Sequence, residues 1–433
     1  MRFDAPANPN YAATVIKVHT LVKLANADKL MGIPAFGLQA ITDLSTQVGD
    51  MGILFPPETQ LSFEYAFENS LHSHSMKNEV ALNKDPGKKG YLGDNRRVKA
   101  ITLRGNRSDA LFMSLESLSY LGVKPEDFKE GDTFDKIGDH EVCRKYVVPR
   151  PMQGAPGSRD RERTKRTALV DTRVFPEHFD TRMFLRVSES LNPGAMCIVS
   201  QKLHGTSIRI GNVPIGRVLS WRERLAKRFG VRVKETEYAM VYGSHHVIKG
   251  LHNPNQQHFY GEDLWTAMGM TLDGMVPQNY LLYGEVVGWT DGGSAIQKNY
   301  TYSCPPGTRK LYIYRVAIVN EQGTLCDLSW DAVKEFCNSI GVDYVPELLR
   351  TRVATLTSED NTLEALMDVK LRDVFPHAIP LSAESPCDEG VCIRIEDGMI
   401  PTILKAKSPL FYKHESAMLD EEAVDTEAEE AVA

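Results

Sequence analysis

Lys202-Leu203-His204-Gly205-Thr206-Ser207 puts an amine at a bend. Apolar residues alternate from Cys197 up to Lys202, and the alternation resumes at Ile208-Arg209-Ile210, so the pattern predicts two strands with the lysine between them. Gly205 permits close backbone approach or a positive φ, and Thr206 and Ser207 supply hydroxyls, so the turn can hold a phosphate beside the amine. A lysine surrounded by other cations loses part of its protonation and becomes a nucleophile. In isolation the segment reads as well as an ordinary exposed hairpin lysine.

Further candidate groups follow downstream in order. Tyr280 to Trp289 is an apolar strand interrupted by one carboxylate, Glu285, which needs a partner if buried and is otherwise an edge-strand glutamate facing water. Tyr312 and Tyr314 share a strand face in Lys310 to Val316 and offer rings for stacking or for core packing. Asp388-Glu389-Gly390 forms an acidic turn entering a β-branched strand. Lys405-Ala406-Lys407 on a strand places two ammonium groups on one face, about 7 Å apart. That spacing suits a triphosphate. His245 and His246 are adjacent, and on a strand they would point to opposite faces, which argues against a shared metal.

This series resembles the motifs of the covalent nucleotidyltransferases, the superfamily of polynucleotide ligases and mRNA capping enzymes, and Lys-Leu-His-Gly-Thr-Ser is most similar to its RNA ligase branch. The resemblance covers Lys202 to Ser408. It implies catalytic roles for Lys202, Lys405 and Lys407, with Lys202 attacking the α-phosphorus of ATP and the other two gripping the phosphate. It implies nucleotide contacts for Gln201, His204, Gly205, Ser207, Glu285, Tyr314 and Glu389, and a hydrated magnesium or manganese ion near Glu285 and Glu389. Tyr314 would stack on the purine, with Tyr312 as the fallback. Gln201 stands where relatives often carry Glu, and His245 departs from the usual Arg. The implied activity is ATP-dependent joining of a 3′-hydroxyl RNA end to a 5′-phosphate end at nicks in duplexes, with RNA and ATP as partners and no protein partner implied. A capping-type guanylyltransferase using GTP and a non-catalytic RNA-end-binding protein are the alternatives.

The elements that must position these groups are strands and helices without a regular βαβ rhythm, so the expected class is α+β with antiparallel sheets. Short strands with Gly and Asp punctuation over 1–148 predict a small β-barrel, and the layout from Asn26 to Gly105 resembles the N-terminal OB-fold module of the Deinococcus-type RNA ligases. Arg144 and Lys145 at its end are candidates for placing the pyrophosphate. Residues 149–172 read as a Pro/Gly-rich and basic linker, 173–415 as the nucleotidyltransferase domain, and 416–433 as an acidic, disordered tail. Helices are expected over Trp330 to Ile340 and Leu363 to Arg372, and a basic helix-like stretch surrounds Trp221 to Arg228.

Composition agrees. The net charge of −7 is matched by seven acidic residues between Asp420 and Ala433, so the remainder sums to −7 + 7 = 0. Seven cysteines without a Cys-x-x-Cys pair argue for reduced thiols and against structural zinc. No membrane-span run and no signal-peptide core is present, which gives a cytoplasmic expectation without a membrane partner.

Overall fold

The computed structural model describes residues 3–148, 169–249, 260–358 and 362–421. The expected basic linker lies almost wholly outside the described residues, and so does the tail from 422 onward. Of the described residues, 3–148, 182–189 and 407–421 form one compact unit, and 169–181, 190–249, 260–358 and 362–406 form the other.

The first unit is built on a four-stranded antiparallel sheet. Strands β1 (Ala13–Lys17), β2 (Met51–Phe55), β3 (Leu111–Ser114) and β4 (Thr133–Phe134) lie in the order β3-β2-β1-β4. Val15 opposite Ile53 and Phe134 opposite Ala13 feed one apolar core with Phe55, Tyr65 and Leu118. Burial of this face supplies the driving force, about 25 cal/mol per Å² of apolar surface. The remaining strands pair as separate two- and three-stranded ribbons, and among the described residues the pairing closes no barrel. The expected barrel is therefore corrected to an open sheet with ribbons. The ribbons turn on residue pairs with φ > 0, Phe36-Gly37 and Arg104-Gly105. Backbone twist of that kind suits a two-residue hairpin. Arg104 is half of such a turn.

Ser416 to Asp420, counted with the acidic tail from the sequence, are the last residues of a helix over Pro409–Asp420. Its end is fixed because the Asp420 carboxylate pairs with Arg97 and Lys99. Arg97 is fully buried and also pairs with Glu58 at 2.6 Å.

The second unit contains two sheets. The first holds β5 (Met196–Lys202), β6 (Glu347–Arg352), β7 (Gly390–Ile395) and β8 (Thr402–Lys407), in the order β8-β7-β5-β6. The second is seven-stranded, and its centre is β9 (Thr206–Gly216), β10 (Thr236–Gly243), β11 (Tyr280–Gly288) and β12 (Arg309–Val319), in the order β10-β9-β11-β12. Pairing is antiparallel except where Asp343 runs parallel to Tyr312. The helix over Trp330–Ile340 forms as expected, capped by Ser329 and closed by Gly341 at φ 68°. The second expected helix breaks into Thr362–Met367 and Leu371–Val374. Lys370 is extended there, and the Leu371 N–H is donated to the Asp388 carboxylate at 2.9 Å.

Candidate active site

Lys202 ends β5 in one sheet, and Thr206 begins β9 in the other, so the turn Leu203-His204-Gly205 is where the chain crosses between sheets. A cavity opens there. The period of two along a strand brings most of its lining: Ile198, Ser200 and Lys202 from β5, which adds Gln201 out of period, Cys392 and Arg394 from β7, and Ile403 and Lys405 from β8. The other sheet contributes Ser207, Glu285 and Tyr314.

The register of β5 against β7 sets Lys202 opposite Gly390. Lys202 Nζ thereby comes to 2.9 Å from Oε1 of Glu389, whose side chain is 3% exposed against 22% for the lysine. His204 Nδ1 lies 3.6 Å from the other Glu389 oxygen, its ring packs edge-on against Tyr300, and its backbone N–H donates to the Tyr302 hydroxyl at 2.6 Å. Gly205 donates its N–H to Glu285 Oε1 at 2.9 Å, and its carbonyl accepts from Gln297 Nε2 at 2.8 Å. A Cβ at Gly205 would lie 2.3 Å from the Val286 carbonyl oxygen, so close backbone approach, not a positive φ, demands glycine here. The lone carboxylate of β11 thus has the partner its burial requires.

Ser207 Oγ and the Tyr314 hydroxyl are 3.1 Å apart, and the Ser207 carbonyl accepts from Trp265 Nε1 at 3.0 Å. Tyr312 and Tyr314 do not share a regular face. A register shift in the β11–β12 ladder pairs Tyr283 with Arg315 and Gly284 with Ile313, which leaves Tyr314 as a bulged residue. Tyr314 lines the cavity, whereas Tyr312 is buried and is not part of its lining.

Gln201 is buried on the next position of β5, with its amide in use at both ends. Its oxygen accepts from the Ile379 N–H at 2.7 Å, and its nitrogen donates to the Ile379 carbonyl and to Asp388, each at 3.0 Å. Burial raises the Asp388 carboxyl above its ordinary value, while the Leu371 N–H and the Gln201 amide pull it the other way. Lys405 belongs to the cavity; Lys407, two residues on, is ion-paired with Glu415 at 2.8 Å and groups with the first unit. His245 and His246 lie in a bend with ring centroids 4.2 Å apart, not on opposite strand faces. They take separate partners, the His178 carbonyl and Glu177, and no group of three His, Cys, Asp or Glu suited to a metal occurs among the described residues.

Several lining residues were not legible as site residues. His178 and Phe179 follow Pro176 in a loop without periodicity. Arg315, in a buried bidentate pair with Asp327, donates to His178 Nδ1 at 3.3 Å and stacks on Phe179 and Tyr283. Burial, then the charges of Arg315 and its neighbours, push His178 well below the ordinary imidazole range, so it is neutral with its proton on Nε2. Arg394, 5% exposed, donates to Glu396 and to the Leu328 carbonyl, and among the described residues its Nη1 has no hydrogen-bond partner. Its signal was an arginine on the apolar strand after Glu389-Gly390. Burial pushes the Cys392 thiol up to about 11.

The arrangement is an amine held by a buried carboxylate, with cations and an aromatic ring around one cavity. No helix among the described residues is long and apolar enough to cross a membrane. A search of curated proteins finds no match. Solved structures of Naegleria gruberi RNA ligase share the fold. An apo variant aligns with TM-score 0.57 at 14% identity, covering 94% of this chain and 99% of that one. A variant with ATP and manganese aligns with TM-score 0.58 at 15% identity, covering 93% and 99%. One with AMP and manganese aligns with TM-score 0.57 at 15% identity, covering 94% and 99%. The RNA ligase family profile matches residues 196–408. That stretch runs from the strand that ends in Lys202 to the Lys-x-Lys strand, and its match to the RNA ligase family supports an ATP-dependent RNA ligase enzyme.

Proposed function

We propose that the protein is an ATP-dependent RNA ligase that joins a 3′-hydroxyl RNA end to a 5′-phosphate end at nicks in duplexes. The reading is supported most by one observation: Lys202 Nζ held 2.9 Å from buried Glu389 in a cavity that Lys405 also lines. In the first step the Lys202 amine, its proton passed to Glu389, forms a bond to the α-phosphorus of ATP. The bond to the bridging oxygen breaks and pyrophosphate leaves. In the second, an oxygen of the RNA 5′-phosphate takes the AMP from the lysine. In the third, the 3′-hydroxyl attacks that 5′-phosphorus, and AMP departs. Each step moves charge onto phosphate oxygens, so positioned cations do most of the stabilising. Lys405 and Lys407 hold the phosphate, Tyr314 stacks on the purine, and His204, Ser207 and Gln201 order the nucleotide.

The chemistry of the donors fits a divalent ion. Glu285 and Glu389 offer hard carboxylate oxygens on either side of the lysine turn, and two carboxylates suit magnesium or manganese that keeps its waters and binds substrate phosphates. Such an ion supplies neutralisation of the phosphate charge. The neighbouring structures with ATP, AMP and manganese support the same choice of nucleotide and metal. In this reading the first unit, an open sheet with ribbons, is a nucleic-acid-binding module, and the protein acts in the cytoplasm.

The test is incubation of the purified protein with magnesium and α-labelled ATP or GTP, followed by denaturing electrophoresis beside Lys202→Ala. Lys202-dependent label from ATP, and sealing of a nicked RNA duplex, are expected. Label from GTP alone would move the protein to the capping class, and no label would remove the enzymatic reading.

A further inference from the structure

The segment that joins β9 to β10 has no part in the chemistry above. It contains a helix over Trp221–Arg228 in which no residue is buried, with Ser220 and Glu223 forming a capping box. Its large apolar side chains face water: Val218 is 79% exposed, Trp221 64%, Leu225 46% and Phe229 78%. On the helix, Trp221, Leu225 and Phe229 recur every four residues and make one stripe. From Arg217 to Glu235 the chain carries seven basic and two acidic residues, in a protein whose net charge is −7. Both acids serve the segment itself. Glu223 pairs with Arg217 and Glu235 with Lys227, which pins the helix at its two ends. Among the described residues Arg222, Arg224, Arg228, Arg232 and Lys234 form no ion pair, and the Arg222 guanidinium lies 5.4 Å from the Trp221 ring.

We propose that this surface docks single-stranded RNA that extends beyond the nicked duplex, an inference that rests on the ligase reading. Phosphates account for the free arginines, and unpaired bases account for exposed Trp221 and Phe229, because every base has a face that stacks on an aromatic ring. A basic amphipathic helix also suits an anionic membrane, but a two-turn helix with three apolar residues offers little area to bury there. Placement agrees with an extended strand. β9 runs from the lysine turn at Thr206 to Gly216, ten steps of about 3.3 Å, so the segment leaves the sheet at a strand end about 33 Å from the turn. The surface can therefore hold RNA without touching the nucleotide cavity.

The experiment follows binding of a fluorescein-labelled uridine oligonucleotide by anisotropy and by quenching of tryptophan fluorescence. It compares the wild type with W221A/F229A, W221F and R222E/R224E/R228E, and labels each with α-labelled ATP. Each of the two disruptive variants should weaken RNA binding by about tenfold or more. The charge variant should also flatten the salt dependence by about one unit per lost phosphate contact, while W221F keeps most of the affinity. Labelling by ATP without RNA should match the wild type, which also shows that the fold is intact. Equal RNA affinity in all variants would overturn the proposal, and so would quenching by phosphatidylserine vesicles but not by RNA. A wild type that binds RNA through these residues yet never takes label would overturn the ligase reading and leave the docking surface standing.

Discussion

Lys202 Nζ and Glu389 Oε1 sit 2.9 Å apart because the end of β5 is paired with the start of β7, Lys202 facing Gly390. A carboxylate only 3% exposed beside an amine open to the cavity fixes where the amine points and gives its proton a destination. Lys202→Ala should therefore abolish labelling by ATP. Glu389→Gln keeps the shape and loses the charge, and charge-assisted bonds are worth about 1.5–3 kcal/mol. Single-turnover labelling should slow roughly 10- to 100-fold. A Glu389→Gln protein that labels at the wild-type rate would show the contact to be incidental.

Gly205 is squeezed against β11. A methyl group there would lie 2.3 Å from the Val286 carbonyl oxygen and 2.9 Å from a Val287 methyl, and the first of these is backbone that cannot rotate away. Gly205→Ala must move the turn, at a cost of about 1–3 kcal/mol. It also disturbs the N–H that Glu285 accepts. The expected outcome is a Tm lower by several degrees together with weaker ATP labelling. A variant that keeps both would mean that the turn relaxes freely.

Part of this site was legible because Lys202, Glu285 and Lys405 interrupt apolar runs on strands, and an interruption on a buried strand needs a chemical reason; Glu389 stood out instead as an acidic turn just before a strand. The bend at Leu203-His204-Gly205 followed from the resumed alternation at Ile208, whereas its passage from one sheet to the other did not. What the sequence hid is what alternation cannot encode. The bulge at Tyr314 breaks the face that Tyr312 and Tyr314 would share, and the bend after Gly243 brings His245 and His246 together. His178 and Phe179 reach the cavity from a loop, held by Arg315 from β12. The barrel expected at the N-terminal end failed for a related reason. Short strands and turns announce ribbons, but closure depends on long-range pairing.

Tyr314 and Tyr312 separate by experiment. With Tyr314 in the cavity wall, Tyr314→Ala should raise the KM for ATP about tenfold, since base–aromatic stacking contributes roughly 1–3 kcal/mol. Tyr314→Phe keeps the ring and should stay within about twofold of the wild type. Tyr312→Ala should lower thermal stability and leave the KM nearly unchanged, because that ring is buried outside the lining. An interchange of the two phenotypes would reassign the stacking ring.

Arg394 holds a donor in reserve. Two of its nitrogens are used by Glu396 and the Leu328 carbonyl, and buried Nη1 is without a hydrogen-bond partner among the described residues. A nucleotide phosphate or base would satisfy it. Lysine cannot reproduce a three-way fork, so Arg394→Lys should raise the KM for ATP several-fold with a smaller effect on kcat. An unchanged KM beside a lowered Tm would make the residue purely structural.

The first unit should show a pH dependence of its own. Burial, with repulsion from Glu415, raises the Glu58 carboxyl to about 7 even though Arg97 is beside it. Burial likewise lifts Asp109 to about 6 against the pull of Arg107. Both folded-state values lie above the ordinary carboxylate range, so between pH 4 and pH 7 the native chain holds protons that the unfolded chain has released. Stability from these groups is complete at the acidic end and is lost as the pH rises through the folded values. For Glu58 the loss is about 3 kcal/mol at most. Glu58→Gln cannot ionise, and Arg97 retains Asp420 as a partner. Denaturation of the wild type and the variant between pH 5 and pH 8 should give a stability difference that shifts in favour of the variant as the pH rises, most steeply between pH 5 and pH 6 and levelling off above pH 7. A difference that stays constant across the range would mean that the Arg97 pair keeps Glu58 ionised throughout.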